Sequence, residues 1–439
     1  MNRTTGDDLE KTNAVDDAKD VVITPDLLSS RINRALTVIQ THRQDKPAEP
    51  LPDVDRVVAG LERARSQLAG VGIHPLGAQV GVDALEDYEL ALVRSALEVE
   101  PEPVERARAM ERSIVGFKQY EDLDGNWLAT LWHRLTNSKL PFPVAPTAQE
   151  QVFTIGDKAT IAIAGDWGTG NASSMSIKEA IERRNPDYTI HLGDVYYSGT
   201  EAEERSKFVT PWPAGKQGSL ALNSNHEMYG GGHGYFGVAL TDPKFRLQCK
   251  HSYFALTNSN WLIIGLDSAY AATSFYDCGA ISDPQLSWMH SILTSPVAKR
   301  LDGTRKRLIL LTHHQGLEDD GKPCEPVWSQ VVGAIRGFSA AWYWGHIHNV
   351  AVFKDVPYPV GSVPPEGVIK PRLVGHGGVP YAADKKTDAM DWTESGPFGD
   401  RQIPERAANG FAWLELVDRA LNEAFFNETG AGRWRTTWE

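Results

Sequence analysis

Apolar positions recur at three- and four-residue steps through the first third of the chain and then change to short unbroken runs. The pattern predicts a helical segment followed by a mixed α/β one. Residues 1–22 carry many carboxylates and no apolar periodicity, which predicts a disordered tail. Behind Thr24 and Pro25, a capping residue and a first-turn proline, Leu28, Ile32, Leu36 and Ile39 line one helical face. Val54, Val57, Val58, Leu61 and Leu68 form a second stripe that stops near Gly70 and Gly72. Further helical stretches cover 85–97, then Met110, Ile114 and Phe117 after Pro103, then Trp127, Leu128, Leu131, Trp132 and Leu135. None carries a recognisable site, so residues 23–145 read as a helical accessory domain or a clasp on the catalytic part.

Three prolines within residues 140–146 mark a linker, and the texture changes over the remaining domain, 150–439. A strand over 160–164 ends in Gly165-Asp166-Trp167-Gly168. A Gly- and Ser-rich turn, a helix over 174–184 and a second strand over 188–192 come next. This succession predicts a right-handed crossover between parallel strands. Further strands are expected over 219–222, 252–256, 260–266, 308–312 and 340–344, with helices over 284–293 and 327–335. Strands over 411–417, 424–427 and 433–438 close the chain as an antiparallel meander, and the Pro- and Gly-rich stretch 356–399 reads as loop over the site.

Composition narrows the class. With 41% hydrophobic and 23% charged residues, and no apolar run near the roughly 20 residues that span a bilayer, the chain reads as soluble and globular. The first residues hold no apolar core of a secretory signal, so a cytoplasmic placement is expected, without membrane partners. A net charge of −13 opposes general binding to a nucleic-acid backbone. A single nucleotide is a different matter, because a local metal site holds phosphate against an unfavourable global field. Cys249, Cys278 and Cys324 fit neither a disulfide framework nor a CxxC metal site and read as buried or idle thiols.

The chemistry-bearing residues fall at strand ends. Asp166 follows the first strand, Asp194 the second, and Asn225, His226 and Glu227 the third. His313 and His314 follow the strand over 308–312, and His346 and His348 the strand over 340–344. All are expected on one edge of one sheet, where ligand sites in α/β folds gather. Carboxylate, amide and imidazole ligands on convergent loops suit a pair of borderline-hard cations. Such a pair, about 3.5 to 4 Å apart with one bridging carboxylate, clamps a phosphoryl group.

At this point the chain resembles the calcineurin-like metallophosphoesterases, and among them the purple acid phosphatases. Their ordered pattern is GDxG, GDxxY, GNH(D/E), VxxH and GHxH. Here it reads Gly165-Asp166-Trp167-Gly168, Gly193-Asp194-Val195-Tyr196-Tyr197, Ser224-Asn225-His226-Glu227, Leu310-Leu311-Thr312-His313 and Gly345-His346-Ile347-His348. The resemblance implies a four-layer α/β/β/α metallophosphoesterase sandwich behind an N-terminal all-helical domain. It also implies a dinuclear phosphoesterase acting on a small phosphate mono- or diester by attack of a metal-bound hydroxide. Asp166, Asp194, Tyr197 and His348 would hold one metal. Asp194, Asn225, His313 and His346 would hold the other, with Asp194 bridging. His226 would face the substrate as an acid or a donor to the phosphoryl group, oriented by Glu227. Gly168 stands where most of the superfamily has a histidine, so Tyr197 is expected to supply a phenolate and select Fe(III), with Fe, Zn or Mn as the divalent partner. The alternative is a non-catalytic metal-binding regulatory or interaction protein on the same fold.

This chain departs from the family at Ser224 in place of Gly, at Leu310 in place of Val, and in lacking a β-sandwich ahead of the catalytic part. His313 and His314 are adjacent, and alignment favours His313 as the ligand. His314, His233 and His376 are expected to support the site or face the substrate, whereas Trp167 and His251 are expected to pack.

Overall fold

The computed structural model describes residues 139–145, 147, 151–272, 278–358, 367–383, 385–399 and 406–439. The expected tail over 1–22 and the helices before residue 139 lie outside the described residues. In chain order the strands are β1 Val152–Thr154, β2 Lys158–Ala164, β3 Tyr188–His191, β4 Gly218–Ala221, β5 Phe254–Thr257, β6 Trp261–Gly265, β7 Arg307–Leu311 and β8 Ala340–Trp344. Then come β9 Val350–Phe353, β10 Val356–Tyr358, β11 Gly367–Val374, β12 Met390–Thr393, β13 Gly410–Val417, β14 Ala420–Asn427 and β15 Gly432–Trp438. The longer helices are α1 Ala172–Arg184, α2 Asp283–Thr294 and α3 Val327–Ala334.

Two sheets result. One has six strands in the order β15-β14-β13-β2-β3-β4, and the other nine, in the order β1-β5-β6-β7-β8-β11-β9-β12 with β10 on β11. Strands β2, β3 and β4 run parallel, as do β6, β7, β8 and β11. Their unbroken apolar runs suit strands covered on both faces, and the side chains divide accordingly. Ile161, Ile163, Ile190 and Leu220 meet Ile263, Ile309, Ala341 and Tyr343 in a core between the sheets. Ala162 and Ala164 turn the other way, against Ile177, Ala180 and Ile181 of α1. Leu308, Leu310 and Trp342 likewise pack against Met289 and Ile292 of α2 and Val331 of α3. α1 begins where Asn171 accepts a hydrogen bond from the Ser174 amide at 2.9 Å and ends at Asn185 in the left-handed region.

Three expectations are corrected here. The stretch 356–399 is not loop throughout, because β11 is an eight-residue strand in the larger sheet. The strand-end motifs do not share one sheet: β2, β3 and β4 belong to the six-stranded sheet, β7 and β8 to the nine-stranded one. Cys278 and Cys324 are not idle thiols but a disulfide with Cα atoms 5.2 Å apart, and Cys249 stays free and exposed.

Candidate metal centre

The site lies where carboxyl ends of strands from both sheets converge. β2 delivers Asp166, β3 Asp194, β7 His313 and β8 His346, while Asn225 and His226 open the short helix Asn225–Tyr229 after β4. Three of these residues leave their strands in the left-handed region: Asp166 at φ 57°, Asp194 at φ 77° and His346 at φ 68°. Each such conformation costs about 1 to 3 kcal/mol and persists where surrounding contacts impose it, often at functional sites. Two glycines make the convergence possible. A Cβ on Gly193 (φ 110°) would lie 2.9 Å from His313 Nδ1, and one on Gly345 would lie 2.5 Å from an Asp166 carboxylate oxygen.

The phenol at the centre belongs to Tyr196, which corrects the assignment to Tyr197. Beyond β3 the chain turns through the positive φ of Gly193 and Asp194 and then forms a single bridge at Val195 with Gly168: the Gly168 amide donates to the Asp194 carbonyl at 3.1 Å and the Tyr196 amide to the Gly168 carbonyl at 3.0 Å. At that bridge Val195 enters the core beneath α1, and Tyr196 after it turns into the site. The Tyr196 hydroxyl lies 2.9 Å from Asp194 Oδ2, 2.8 Å from His348 Nε2 and 3.4 Å from Asp166 Oδ1. The Tyr197 ring is half-buried, with Lys207 Nζ 5.5 Å from its centre.

A second group of atoms gathers at His313 Nε2, with Asn225 Oδ1 at 2.8 Å, His346 Nδ1 at 3.2 Å and Asp194 Oδ1 at 3.2 Å. Proton counting shows what this group lacks. His313 Nδ1 donates to the Leu192 carbonyl at 3.0 Å, so Nε2 of the neutral ring is a bare lone pair. The Asn225 amide NH2 donates to the Tyr229 hydroxyl at 2.6 Å, which turns its oxygen toward that lone pair. The acceptors His313 Nε2 and Asn225 Oδ1 therefore face each other with Asp194 Oδ1 beside them, and a cation between them fits. Around Tyr196, one carboxylate oxygen each of Asp194 and Asp166 and His348 Nε2 likewise gather within 3.4 Å of the hydroxyl. The donor set, two carboxylates, an amide, three imidazoles and a phenol, suits a pair of borderline-hard cations.

Electrostatics agree with that fit. Burial lowers the pKa of His226 and His313, with Asp194 opposing, and lowers His346 to about 3 and His348 to about 4, so these imidazoles are neutral and able to ligate at pH 7. Burial and the neighbouring Asp194 push Asp166 well above the usual carboxylate range. Burial would raise Asp194 as well, but His226, His313 and His346 together hold it well below that range. Without a metal, one proton thus sits on Asp166 beside an ionised Asp194, and cations would take over its task.

His226 faces the centre, its Nε2 3.7 Å from Asp194 Oδ2, while its Nδ1 donates to the Tyr197 carbonyl at 2.7 Å. That carbonyl aims the ring. Glu227 is buried and accepts from the Ser224 hydroxyl, and Ser224 in turn accepts from the His226 amide at 3.1 Å as the helix cap. Ser224 thus has a capping task where the family has glycine. His314 is buried beside His346, ring centres 4.6 Å apart, with Nδ1 3.0 Å from Ser268 Oγ and Nε2 without a partner. His233 sits half-buried at the start of the helix His233–Gly237. His376 turns its ring toward Tyr381 and Phe425, while its neighbour Gly377 donates to the Gly165 carbonyl at 3.0 Å. Trp167 is fully buried, donating to the Ser174 carbonyl at 2.7 Å, and His251 Nδ1 meets Gln151 at 2.9 Å. Sequence reasoning missed Tyr196 and Glu203. The Thr200 to Glu203 spacing, a capping-box signature, could have found the latter.

Neither a protein-family model nor a curated protein matches the chain. Solved structures do. The chain is similar to GAP50, described as the anchor in the inner membrane complex of Plasmodium, at 10% identity over 64% of this chain and 88% of that one, with a TM-score of 0.43. A conserved protein of Streptococcus pneumoniae described as a predicted phosphoesterase aligns at 12% identity over 64% and 97% of the two chains, with a TM-score of 0.25. A 5'-nucleotidase from Candida albicans aligns at 11% identity over 66% of this chain and 53% of that one, with a TM-score of 0.31. Among the described residues no helix is long and apolar enough to cross a membrane.

Proposed function

We propose that the chain is a dinuclear metal-dependent phosphoesterase on a four-layer α/β/β/α sandwich of the calcineurin-like kind, close to the purple acid phosphatases in motif. The observation that carries the reading is the set of facing acceptors around His313 Nε2 and Tyr196 Oη, which share Asp194. Asp166, Asp194, Tyr196 and His348 would hold one cation, of Fe(III) type because a phenol is a hard anionic donor. Asp194, Asn225, His313 and His346 would hold a divalent one, Fe, Zn or Mn. When bound, the pair supplies Lewis acidity at the phosphoryl group and a water deprotonated near neutral pH.

The chain's own residues do the rest. Asp194 offers one carboxylate oxygen to each set. His226 keeps its Nδ1 proton on the Tyr197 carbonyl, so it exchanges protons only at Nε2, the atom that faces the centre. As the imidazolium, with a second proton taken up at Nε2 on substrate binding, it would give that proton to the leaving oxygen or donate it in a hydrogen bond to the phosphoryl group. The substrate class is a small phosphate ester.

The test joins metal analysis, a panel of chromogenic phosphate mono- and diesters, and the visible spectrum of the iron-loaded protein. Two metals per chain and turnover that His226→Ala abolishes are expected, with a phenolate charge-transfer band that Tyr196→Phe removes and Tyr197→Phe retains. Metals without turnover across the panel would replace the enzyme with a metal-binding protein. Loss of the band in Tyr197→Phe alone would return the ligand to Tyr197.

A further inference from the structure

The segment 196–200 carries both the Tyr196 phenol and the Tyr197 carbonyl that holds His226, and it is held from outside the centre. Thr200 caps the short helix Glu201–Glu203, and Glu203 completes the capping box. Glu203 does more than a capping box requires. One carboxylate oxygen accepts from the Tyr197 amide at 2.5 Å. The other accepts from the amides of Ser198 at 3.1 Å and Thr200 at 3.2 Å and from the Thr200 hydroxyl at 3.1 Å. Tyr197 and Ser198 precede the cap and belong to no helix, so helix capping does not explain those two bonds. Lys207, one turn further on, pairs with Glu203 at 3.2 Å and donates to the Tyr196 carbonyl. The pair therefore holds both polar groups of one peptide unit, the carbonyl of Tyr196 and the amide of Tyr197. Charge-assisted hydrogen bonds of this kind are about twice as strong as neutral ones. Burial would raise the Glu203 pKa, but Lys207 and the amides of Ser198, Tyr197 and Thr200 hold it below the ordinary value, so the carboxylate stays ionised at neutral pH.

We propose that Glu203 and Lys207 form a clamp that aims the Tyr196 phenol at the centre and, through the Tyr197 carbonyl, holds His226 in its Nδ1-protonated form. Both are positioning residues. Their effect on turnover rests on the phosphoesterase reading, whereas their effect on the His226 tautomer does not.

The experiment uses the full chain with Glu203→Gln and Lys207→Met. Glutamine keeps the size and one acceptor for the Tyr197 amide but must turn an NH2 group toward the amides of Ser198 and Thr200. In the metal-free wild type, 15N spectra of His226, assigned with His226→Gln, show one tautomer with the proton on Nδ1. Both variants are expected to show a mixture. In the iron-loaded protein the phenolate band is expected to shift and weaken at unchanged iron content. In the turnover assay kcat falls about 10- to 100-fold, the scale of outer-shell substitutions, with KM within about threefold. Two folded variants with the wild-type His226 pattern and the wild-type band would overturn the clamp. If Glu203→Gln does not fold, Lys207→Met carries the same readouts. If the wild type neither binds metal nor turns over, the phosphoesterase reading fails, and the metal-free tautomer comparison still decides the clamp.

Discussion

His191 offers a sharp test of the packing beneath the site. Its ring lies among Phe208, Trp167 and Trp212, at centroid distances of 4.4, 6.3 and 5.0 Å, and neither ring nitrogen has a hydrogen-bond partner. Burial lowers its pKa from 6.5 to about 3. Above the unfolded value both states hold the neutral ring, and no stability is lost. As pH falls below it the unfolded chain takes up a proton that the folded chain refuses, so stability drops until the folded value is reached. Between about pH 7.5 and about pH 5 that linkage amounts to about 2 kcal/mol, and the figure barely moves while the folded pKa stays below about 4. His191→Phe keeps an aromatic ring and removes the titration. Overpacking by the larger ring costs the same at both pH values, so the difference between them isolates the effect. His376, also lowered to about 3 by burial, contributes equally to both proteins and cancels. Urea unfolding of the metal-free proteins, followed by tryptophan fluorescence, is expected to show the variant losing about 2 kcal/mol less than wild type across that interval. Equal losses to within about 0.5 kcal/mol would refute the account of a buried neutral imidazole.

Backbone and covalent geometry lead to two further outcomes. Gly193→Ala places a methyl 2.8 Å from Ser224 Cβ and 2.9 Å from His313 Nδ1 at a φ of 110°. It is expected to lose about 2 to 3 kcal/mol in urea unfolding and to release metal from the His313 set on dialysis; a stable variant that keeps two metals would count against the convergence described. Cys278→Ser opens a covalent loop between residues 46 apart, which in the chain-entropy account costs about 4 kcal/mol. The variant and the dithiothreitol-treated wild type are expected to share one lowered thermal midpoint, and a wild type indifferent to reductant would show the bond to be absent in solution.

Much of the fold around the site was legible locally. β2, α1, β3, β7 and β8 are apolar runs or stripes cut by Gly-Asp, Asn, Thr-His or Gly-His, and such punctuation depends only on neighbours in sequence. β11 was hidden, because Pro371 and the prolines before it read as loop. The larger sheet accommodates Pro371 because β10 pairs only with 367–369 and β9 only with 372–374, so on that side its missing amide falls in a gap between ladders.

Sequence by itself determined the donor types and their place at strand ends, since a carboxylate, amide or imidazole just past an apolar run is a local fact. Tertiary structure decided which donors meet. Spacing could not choose between Tyr196 and Tyr197, because the choice depends on Asp194 entering the left-handed region and on the bridge of Val195 with Gly168. Nor could it show that His313 and His346 come from a different sheet than Asp166 and Asp194, or that Cys278 reaches Cys324. Contacts between distant segments are set by packing of the whole core, and local periodicity carries no record of them.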